Sequence, residues 1–196
     1  MTSAPARLVL VRHGAAEGAG ERCVGRGGAV DPGLSAAGRR QAAAAAERLG
    51  GRFDLVVSSP ARRARETVAA WSLPVTLDER LAERCFGAWE GRPWEELWPT
   101  APAAVRSDPA AWAAFTPPGG ETLEEVTARV GACVRELTAV PGRRVLAVTH
   151  AGPLRLAVGL ALGLPGERAL GLGADHGAAA VLERWGENWL LERLNA

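Results

Sequence analysis

The hydrophobic positions of the chain fall into short unbroken runs separated by stretches with helical spacing. Three runs have the length and composition of strands buried on both faces, and they cover residues 8–11, 55–57 and 145–148. The segments between them carry helix-capping residues and apolar positions at the helical period. This alternation predicts an α/β fold of three layers, α/β/α, with a mostly parallel central sheet.

Helix-capping patterns place the predicted helices, which follow Ser35, Pro60, Thr122 and Pro153. The end of the chain is predicted to form two antiparallel strands, over residues 178–184 and 189–193. Residues 92–120 are rich in proline, alanine and tryptophan and show no strand pattern. We expect this stretch, called the cap segment below, to be a helical insertion in one domain spanning residues 1–196.

Polar side chains follow each of the three buried runs at its carboxyl end. The residues in question are Arg12, His13, Ser58, Ser59, Arg62, Arg63, Thr149 and His150. In open α/β sheets ligands bind outside these strand ends, so two histidines and several arginines should meet in one place. Imidazole and guanidinium groups suit a tetrahedral oxyanion such as phosphate. A single histidine after a strand is more often a hydrogen-bonded loop residue, so the prediction depends on this joint placement.

Charge and composition narrow the classes of partner. The 196 residues contain 23 arginines and lysines against 22 acidic residues, so a nucleic-acid or membrane-surface partner is not expected. The three scattered cysteines argue against a disulfide framework and a zinc site. The sequence has neither a signal-peptide pattern nor a long apolar run. We therefore expect a cytoplasmic protein, and the oligomeric state stays open.

Four blocks of the sequence resemble the histidine phosphatase superfamily, which has the phosphoglycerate-mutase-like fold, in the family's order and over nearly the whole chain. The blocks are Leu10-Val11-Arg12-His13-Gly14, Ser58 to Thr67, Leu81 to Gly91, and Val148-Thr149-His150-Ala151-Gly152. An R-H-G tripeptide alone would be a weak signal, whereas four blocks in order are specific.

The resemblance implies a role for each matching residue. His13 would be the nucleophile that becomes a phosphohistidine, and Arg12 and Arg63 would bind the phosphoryl oxygens. His150 would complete the pocket, and Glu83 would give a proton to the leaving oxygen. Two arginines and a protonated His150 would neutralise the phosphate dianion without a metal, so no metal or other cofactor is expected.

Other positions are secondary candidates or departures from the family pattern. Gly14 and Ala151, next to the two histidines, are further candidates for phosphate binding, and Arg62 is the second choice to Arg63. Ala16 and Ala19 stand where the family often has threonine and asparagine, which puts the level of activity in doubt.

The cap segment favours a phosphatase of small metabolites within this family. It carries only two arginines, whereas mutases tend to have a longer, more basic cap. A C-x-G-R stretch and a P-P-G-G-E-T stretch are similar to α-ribazole-5′-phosphate phosphatases. The candidate contacts to the leaving group are Gly25, Arg26, Trp89 and Glu121. Trp89 packing inside the cap is an equal alternative to stacking on a substrate, and Glu121 could instead cap a helix.

The expected function is therefore a metal-independent phosphomonoesterase acting on a small phosphorylated metabolite, such as α-ribazole 5′-phosphate or a sugar phosphate. Phosphoglycerate mutase activity and a weakly active phosphate-binding module are the alternatives. The loop looks lengthened between Gly25 and Asp31, and the extra glycines there suggest a mobile lip over the site. The third histidine, His176, could approach the edge of the pocket, but a structural or exposed loop residue is the preferred interpretation.

Overall fold

A six-stranded sheet forms the centre of the structure, a computed structural model that describes residues 4–26 and 30–196. The strands are β1 (Ala6–Arg12), β2 (Leu55–Ser58), β3 (Thr76–Leu77), β4 (Arg144–Thr149), β5 (Ala179–Trp185) and β6 (Asn188–Arg193). The helices are α1 (Ala36–Arg48), α2 (Arg62–Val68), α3 (Trp94–Leu97), α4 (Ala103–Ser107), α5 (Pro109–Ala114), α6 (Leu123–Leu137), α7 (Ala151–Leu162) and α8 (Gly166–Ala169).

The strand order is β3-β2-β4-β1-β5-β6. The four strands from β3 to β1 pair in parallel, and β5 and β6 extend the sheet by antiparallel pairing. The carboxyl ends of β1, β2 and β4 therefore lie side by side at one end of the strands. The predicted α/β class with a mostly parallel sheet is confirmed.

Helices cover both faces of this sheet because successive residues of a strand point to opposite sides. Leu8 and Leu10 of β1 belong to a core built with α6 and α7. Val9 and Val11 belong to a second core, built with α1 and α2. The helices on one face, the sheet, and the helices on the other face are the three predicted layers, and one core fills the space between each pair.

The helix-capping patterns locate the helix starts well. Ser35 accepts a hydrogen bond from the Gly38 N–H, and Thr122 and Glu125 form the predicted capping box. The helix expected after Pro153 begins two residues earlier, at Ala151. Proline is tolerated there because the first turn of a helix needs no N–H donors.

The cap segment contains the short helices α3, α4 and α5 joined by turns, as its composition predicts. Its apolar residues Leu97, Ala101 and Val105 pack with Cys23 and Trp89, which lie outside the segment. Together they form a third core, separate from the two cores on the sheet. That this segment is an insertion in a single domain stays a prediction. None of the helices in the described part of the chain has both the length and the apolar character needed to cross a membrane.

Leu146, fully buried at the centre of β4, should be critical for stability. We expect Leu146→Ala to lower the free energy of unfolding by about 2–5 kcal/mol, because it leaves a cavity between packed layers. The matched control is Leu190→Ala on edge strand β6, where the side chain is 51% exposed. That change should cost about 0.5 kcal/mol or less in urea denaturation. Equal losses in the two variants would contradict the placement of the core.

Candidate active site

The carboxyl ends of β1 and β4 bring two histidines into contact. The strands are paired so that Arg12 lies opposite Thr149, and the His13 N–H donates a 2.9 Å hydrogen bond to the Thr149 carbonyl. The next residue of each strand end is a histidine, and the two rings lie edge to face with centroids 4.9 Å apart. The predicted meeting of His13 and His150 is found.

The His13 ring is held in one orientation by hydrogen bonds at both nitrogens. Nδ1 lies 2.7 Å from the Gly14 carbonyl oxygen, which can only accept, so Nδ1 carries the proton. Nε2 therefore has the lone pair, and it accepts a 3.2 Å hydrogen bond from Nε of Arg63. Burial, and then the charge of Arg63, lower the pKa of His13 well below its usual range, although the Gly14 bond acts the other way. The ring is therefore neutral, as a nucleophile must be.

His150 is fully buried behind His13. Its Nε2 lies 2.8 Å from the Ser59 hydroxyl, and its Nδ1 is buried without a partner among residues 4–26 and 30–196. Burial, together with the charge of Arg63, lowers the pKa of His150 well below its usual range. These surroundings favour neutral His150 rather than the protonated form expected from the sequence. A bound dianion would shift this balance back towards the cation.

The start of α2 places Arg63, rather than Arg62, in the site. Arg63 is only 4% exposed, whereas Arg62 points outward and forms an ion pair with Glu66. The Arg63 carbonyl accepts a hydrogen bond from the Thr67 hydroxyl, which also accepts the Gly14 N–H. The helix and the nucleophile loop are thereby locked together at the pocket.

Arg12 is the second guanidinium of the site, at the end of β1. Its Nη1 donates to the Ala174 carbonyl and its Nη2 to Nε2 of His176, both at 2.7 Å. Its Nε is buried and finds no acceptor in the part of the chain that the structure describes. A buried unpaired N–H is costly in a native protein, so this donor is suited to an incoming anion.

A cavity of about 230 Å³ opens above these groups, with Arg12, His13, Arg63, Glu83 and His176 in its wall. The Glu83 carboxylate reaches it because Gly152 has no side chain. A Cβ at that position would collide with Oε1 of Glu83, and the Gly152 N–H lies 3.4 Å from Oε2. The remainder of the wall includes small residues such as Ala16 and Ala19, two aromatic rings, Phe86 and Trp94, and the charged residues Glu17 and Arg22.

The residues beside the two histidines have different backbone environments. The Gly14 N–H is already bonded to Thr67, and its carbonyl to His13, so Gly14 orients the nucleophile rather than offering a free donor. Its lack of a side chain lets the backbone of Gly38 approach closely. Ala151 is the first residue of α7, where a helix leaves its N–H groups unpaired.

Two of the candidate leaving-group contacts turn out to be structural. The Gly25 N–H donates to the Glu90 carboxylate, so it is not free for a substrate. Both oxygens of Glu121 are committed, to the Cys85 N–H and to Arg129. Burial raises the pKa of Glu121, but these bonds outweigh it and the net pKa lies below its usual value. Thr122, not Glu121, caps the helix that follows.

Of the two alternatives for Trp89, packing inside the cap is the one that the structure shows. Trp89 is 6% exposed and packs against Trp94, Trp112 and Phe115 in the core of the cap segment. Arg26 lies on a neighbouring cavity, next to Glu83, but pairs with Glu121 at 3.3 Å. The predicted glycine lip at 27–29 falls outside the described residues.

Three functional neighbours were given no role in the site from the sequence: His176, Ser59 and Thr67. Ser59 was named among the polar residues at the strand ends and Thr67 lies in the second motif block, but only the arginines of that block were assigned to phosphate. For His176 an approach to the pocket edge was the less favoured alternative, and its ring centroid lies 5.6 Å from that of His13. The sequence feature that could have placed His176 at the site is the predicted antiparallel strand pair that it directly precedes.

Fold and site together define a class of α/β proteins in which paired histidines and two arginines meet at the strand ends. The chain belongs to the histidine phosphatase superfamily, branch 1, whose family model matches residues 8–196.

Curated relatives share between a third and two fifths of their residues with this chain. A bifunctional protein of Mycobacterium tuberculosis is 39% identical over 169 residues, covering 81% of this chain and 44% of its own length. The chain thus spans less than half of the first curated relatives that it matches. A glucosyl-3-phosphoglycerate phosphatase of Mycolicibacterium vanbaalenii is 39% identical over 175 residues, covering 81% of this chain and 75% of the relative.

Solved structures show the same fold. A mycobacterial glucosyl-3-phosphoglycerate phosphatase superposes with a TM-score of 0.83 at 35% identity, covering 97% of this chain and 98% of its own. The α-ribazole phosphatase of Shigella flexneri superposes with a TM-score of 0.84 at 28% identity, covering 97% and 96%. The predicted family and its likeness to α-ribazole phosphatases are confirmed.

The lowered pKa of His13 predicts a specific acid sensitivity of folding. Stability from the neutral ring is complete above pH 6.5, the unfolded value, and is lost as the pH falls towards the lower folded value. Between about pH 7.5 and 5.5 the wild-type protein should lose about 1.4 kcal/mol more unfolding free energy than His13→Gln. Urea titrations at both pH values measure this difference. Parallel losses in the two proteins would show that the His13 pKa is not lowered.

Proposed function

We propose that this protein is a phosphomonoesterase that hydrolyses a small phosphorylated metabolite through a phosphohistidine at His13. The observation that carries the proposal is the convergence of His13, Arg12 and Arg63 on one cavity, with the buried His150 ring packed against His13, in a chain of this family. The site roles below are part of the proposal.

Binding of the phosphoryl group is assigned to the two guanidinium groups. A phosphate dianion repels nucleophiles until its charge is neutralised, and the buried Arg63 and the half-buried Arg12 supply that charge without a metal. Nε of Arg12 and Nδ1 of His150 have no hydrogen-bond partner in the described part of the chain. We assign both atoms to the binding of the phosphoryl oxygens. Nε of Arg63 donates to Nε2 of His13, and a bound phosphoryl oxygen would take over that donor.

The chemical step divides one displacement into two. Nε2 of His13 attacks phosphorus while the bond to the leaving oxygen breaks, and Glu83 gives that oxygen a proton. Water then attacks the phosphohistidine, the N–P bond breaks, and Glu83 takes up a proton from the water. Inorganic phosphate is released, and His13 and Glu83 are returned to their starting states.

Glu83 is preferred over the neighbouring carboxylates on structural grounds. Asp78 is held by Arg80 at 2.7 Å, and Glu90 accepts the N–H groups of Gly25 and Phe86. Glu79, whose side chain is 65% exposed, does not line the cavity above His13. Glu83 alone among the four lies in the wall of the cavity that contains Arg12, His13 and Arg63.

A phosphatase is favoured over a mutase by the charges around the cavity. A mutase must hold a second anionic group, yet Arg92 of the cap segment pairs with Glu96 and does not line the cavity. Arg22, at the rim, donates to the Gly91 carbonyl. Of the two cap arginines, the other, Arg106, does not line the cavity either.

The leaving group is proposed to be a sugar-like alcohol. Phe86 and Trp94 present aromatic surface beside small residues in the cavity wall, and such surface accepts the apolar face of a sugar ring. The relatives named as glucosyl-3-phosphoglycerate phosphatases share more sequence identity with this chain, at 35–39%, than the α-ribazole phosphatase of Shigella flexneri does, at 28%. A phosphorylated sugar derivative is therefore preferred to α-ribazole 5′-phosphate. The scattered free cysteines fit a reducing cytoplasm as the site of action.

A weakly active phosphate-binding module is the second candidate, and one observation favours it. Ala16 and Ala19 line the cavity and offer no side-chain hydrogen bond to a phosphoryl group. Turnover measurements decide between the two candidates.

The role of His13 as the nucleophile is tested by its substitution. We expect hydrolysis of p-nitrophenyl phosphate to persist in excess EDTA and to fall below detection in His13→Ala, because Nε2 of His13 is the proposed acceptor of the phosphoryl group. Arg62→Ala, at an outward-facing position on the same pocket helix, is the control and should keep near wild-type turnover. Full activity in His13→Ala, or loss in chelator, would refute the mechanism. Interconversion of 2- and 3-phosphoglycerate would instead assign a mutase.

The role of Glu83 as the proton donor is tested in the same way. Glu83→Gln should lower kcat for a sugar phosphate by about 10²–10⁴-fold, since general acid catalysis contributes that much. The loss for p-nitrophenyl phosphate should be far smaller, because p-nitrophenolate leaves without protonation. Glu79→Gln is the matched control and should change neither rate. A Glu83→Gln loss of the same size for both substrates would contradict the assigned role.

A further inference from the structure

His176 binds Arg12 directly, in a loop far along the chain from the four family blocks. Its Nε2 lies 2.7 Å from Nη2 of Arg12, and the carbonyl of Ala174 in the same loop lies 2.7 Å from Nη1. One short loop thus supplies an acceptor to each terminal nitrogen of this guanidinium. Nε remains as a buried donor without a partner in the part of the chain described.

Antiparallel pairing places this loop at the site. Because β5 runs opposite to β1, the residues just before β5 lie at the carboxyl end of β1. The Gly177 N–H donates to the Arg12 carbonyl at 3.1 Å. Asn195 fixes the loop from outside through two hydrogen bonds to Asp175. The loop is therefore built against Arg12 rather than resting there by chance.

Charges of both signs act on the Arg12 guanidinium. Burial lowers the pKa of Arg12, Glu83 and Asp175 attract its charge, and Arg155 and Arg63 repel it. Such a mixed field does not by itself fix one orientation, whereas acceptors held by a loop do.

The His176 ring is suited to act as an acceptor. Arginine has only donors, so Nη2 donates and Nε2 of His176 must be unprotonated. Burial and the charge of Arg12 lower the pKa of His176 to about 4, despite the opposing charge of Asp175. The ring stays neutral near pH 7 and keeps its lone pair towards Arg12.

We infer that His176 is a positioning residue that holds the Arg12 guanidinium in the orientation that binds the phosphoryl group. It does not take part in the chemistry. The inference rests on the proposed function, since it concerns the grip on phosphate at the same site. A hydrogen bond to a charged group of this kind supports an effect of about tenfold on phosphate affinity.

A double-mutant cycle tests the inference, with binding of inorganic phosphate measured by calorimetry on the full chain. His176→Ala should weaken phosphate binding by about tenfold and lower kcat/KM for p-nitrophenyl phosphate by a similar factor. His176→Gln should recover most of both, because its Oε1 can accept from Nη2. In an Arg12→Ala background, adding His176→Ala should change phosphate affinity less than about twofold.

Each outcome of the cycle has a defined meaning. Unchanged affinity in His176→Ala, no recovery in His176→Gln, or the same tenfold loss without Arg12 would overturn the inference. Should His176→Ala fail to fold by circular dichroism, His176→Leu and His176→Gln make the same comparison. Phosphate binding by wild-type protein without turnover would contradict the proposed function while leaving the cycle valid. Absence of phosphate binding would overturn both.

Discussion

The in-register parallel pairing of β1 with β4 is the constraint on which the site depends. Arg12 lies opposite Thr149, and the hydrogen bond from the His13 N–H to the Thr149 carbonyl continues the ladder one residue beyond the strand. A shift of one residue would turn the imidazoles to opposite faces. The two residues that follow the paired strands are therefore held as neighbours, 137 positions apart in sequence.

The remaining groups are added to this pair by elements that pack against the same edge. Parallel β2 delivers Ser59 and the start of α2, and with it Arg63. Antiparallel β5 returns the chain to the end of β1 and delivers His176. Burial lowers the pKa of both histidines, and the nearby guanidinium charges lower it further. A bound anion would act in the opposite direction.

The pattern of the sequence predicted the elements whose physics is local. Continuous apolar runs marked the buried strands, and the Thr122 capping box marked the start of α6. The choice of Arg63 over Arg62 came from the family pattern, and helical phase explains it, since adjacent residues on a helix face different directions. Strand β3 was missed because two exposed residues at a sheet edge carry no hydrophobic pattern.

Tertiary context decided what local pattern could not. Trp89 stands in a motif block next to the site, but the aromatic residues of the cap segment gain more by packing together in one core than by facing the cavity. Glu121 was drawn into an ion pair with Arg129, a partner eight residues further along. The role of His176 depended on the direction of β5, which its own loop sequence does not show.

A crystal structure of the protein with vanadate measures the central claim most directly, because vanadate adopts the geometry of a phosphoryl group in transfer. The account predicts vanadium bonded to Nε2 of His13, with equatorial oxygens contacting Arg12, Arg63 and His150 and an apical oxygen towards Glu83. Vanadate bound elsewhere in the cleft, or bound there with Arg12 or Arg63 turned away, would contradict the account.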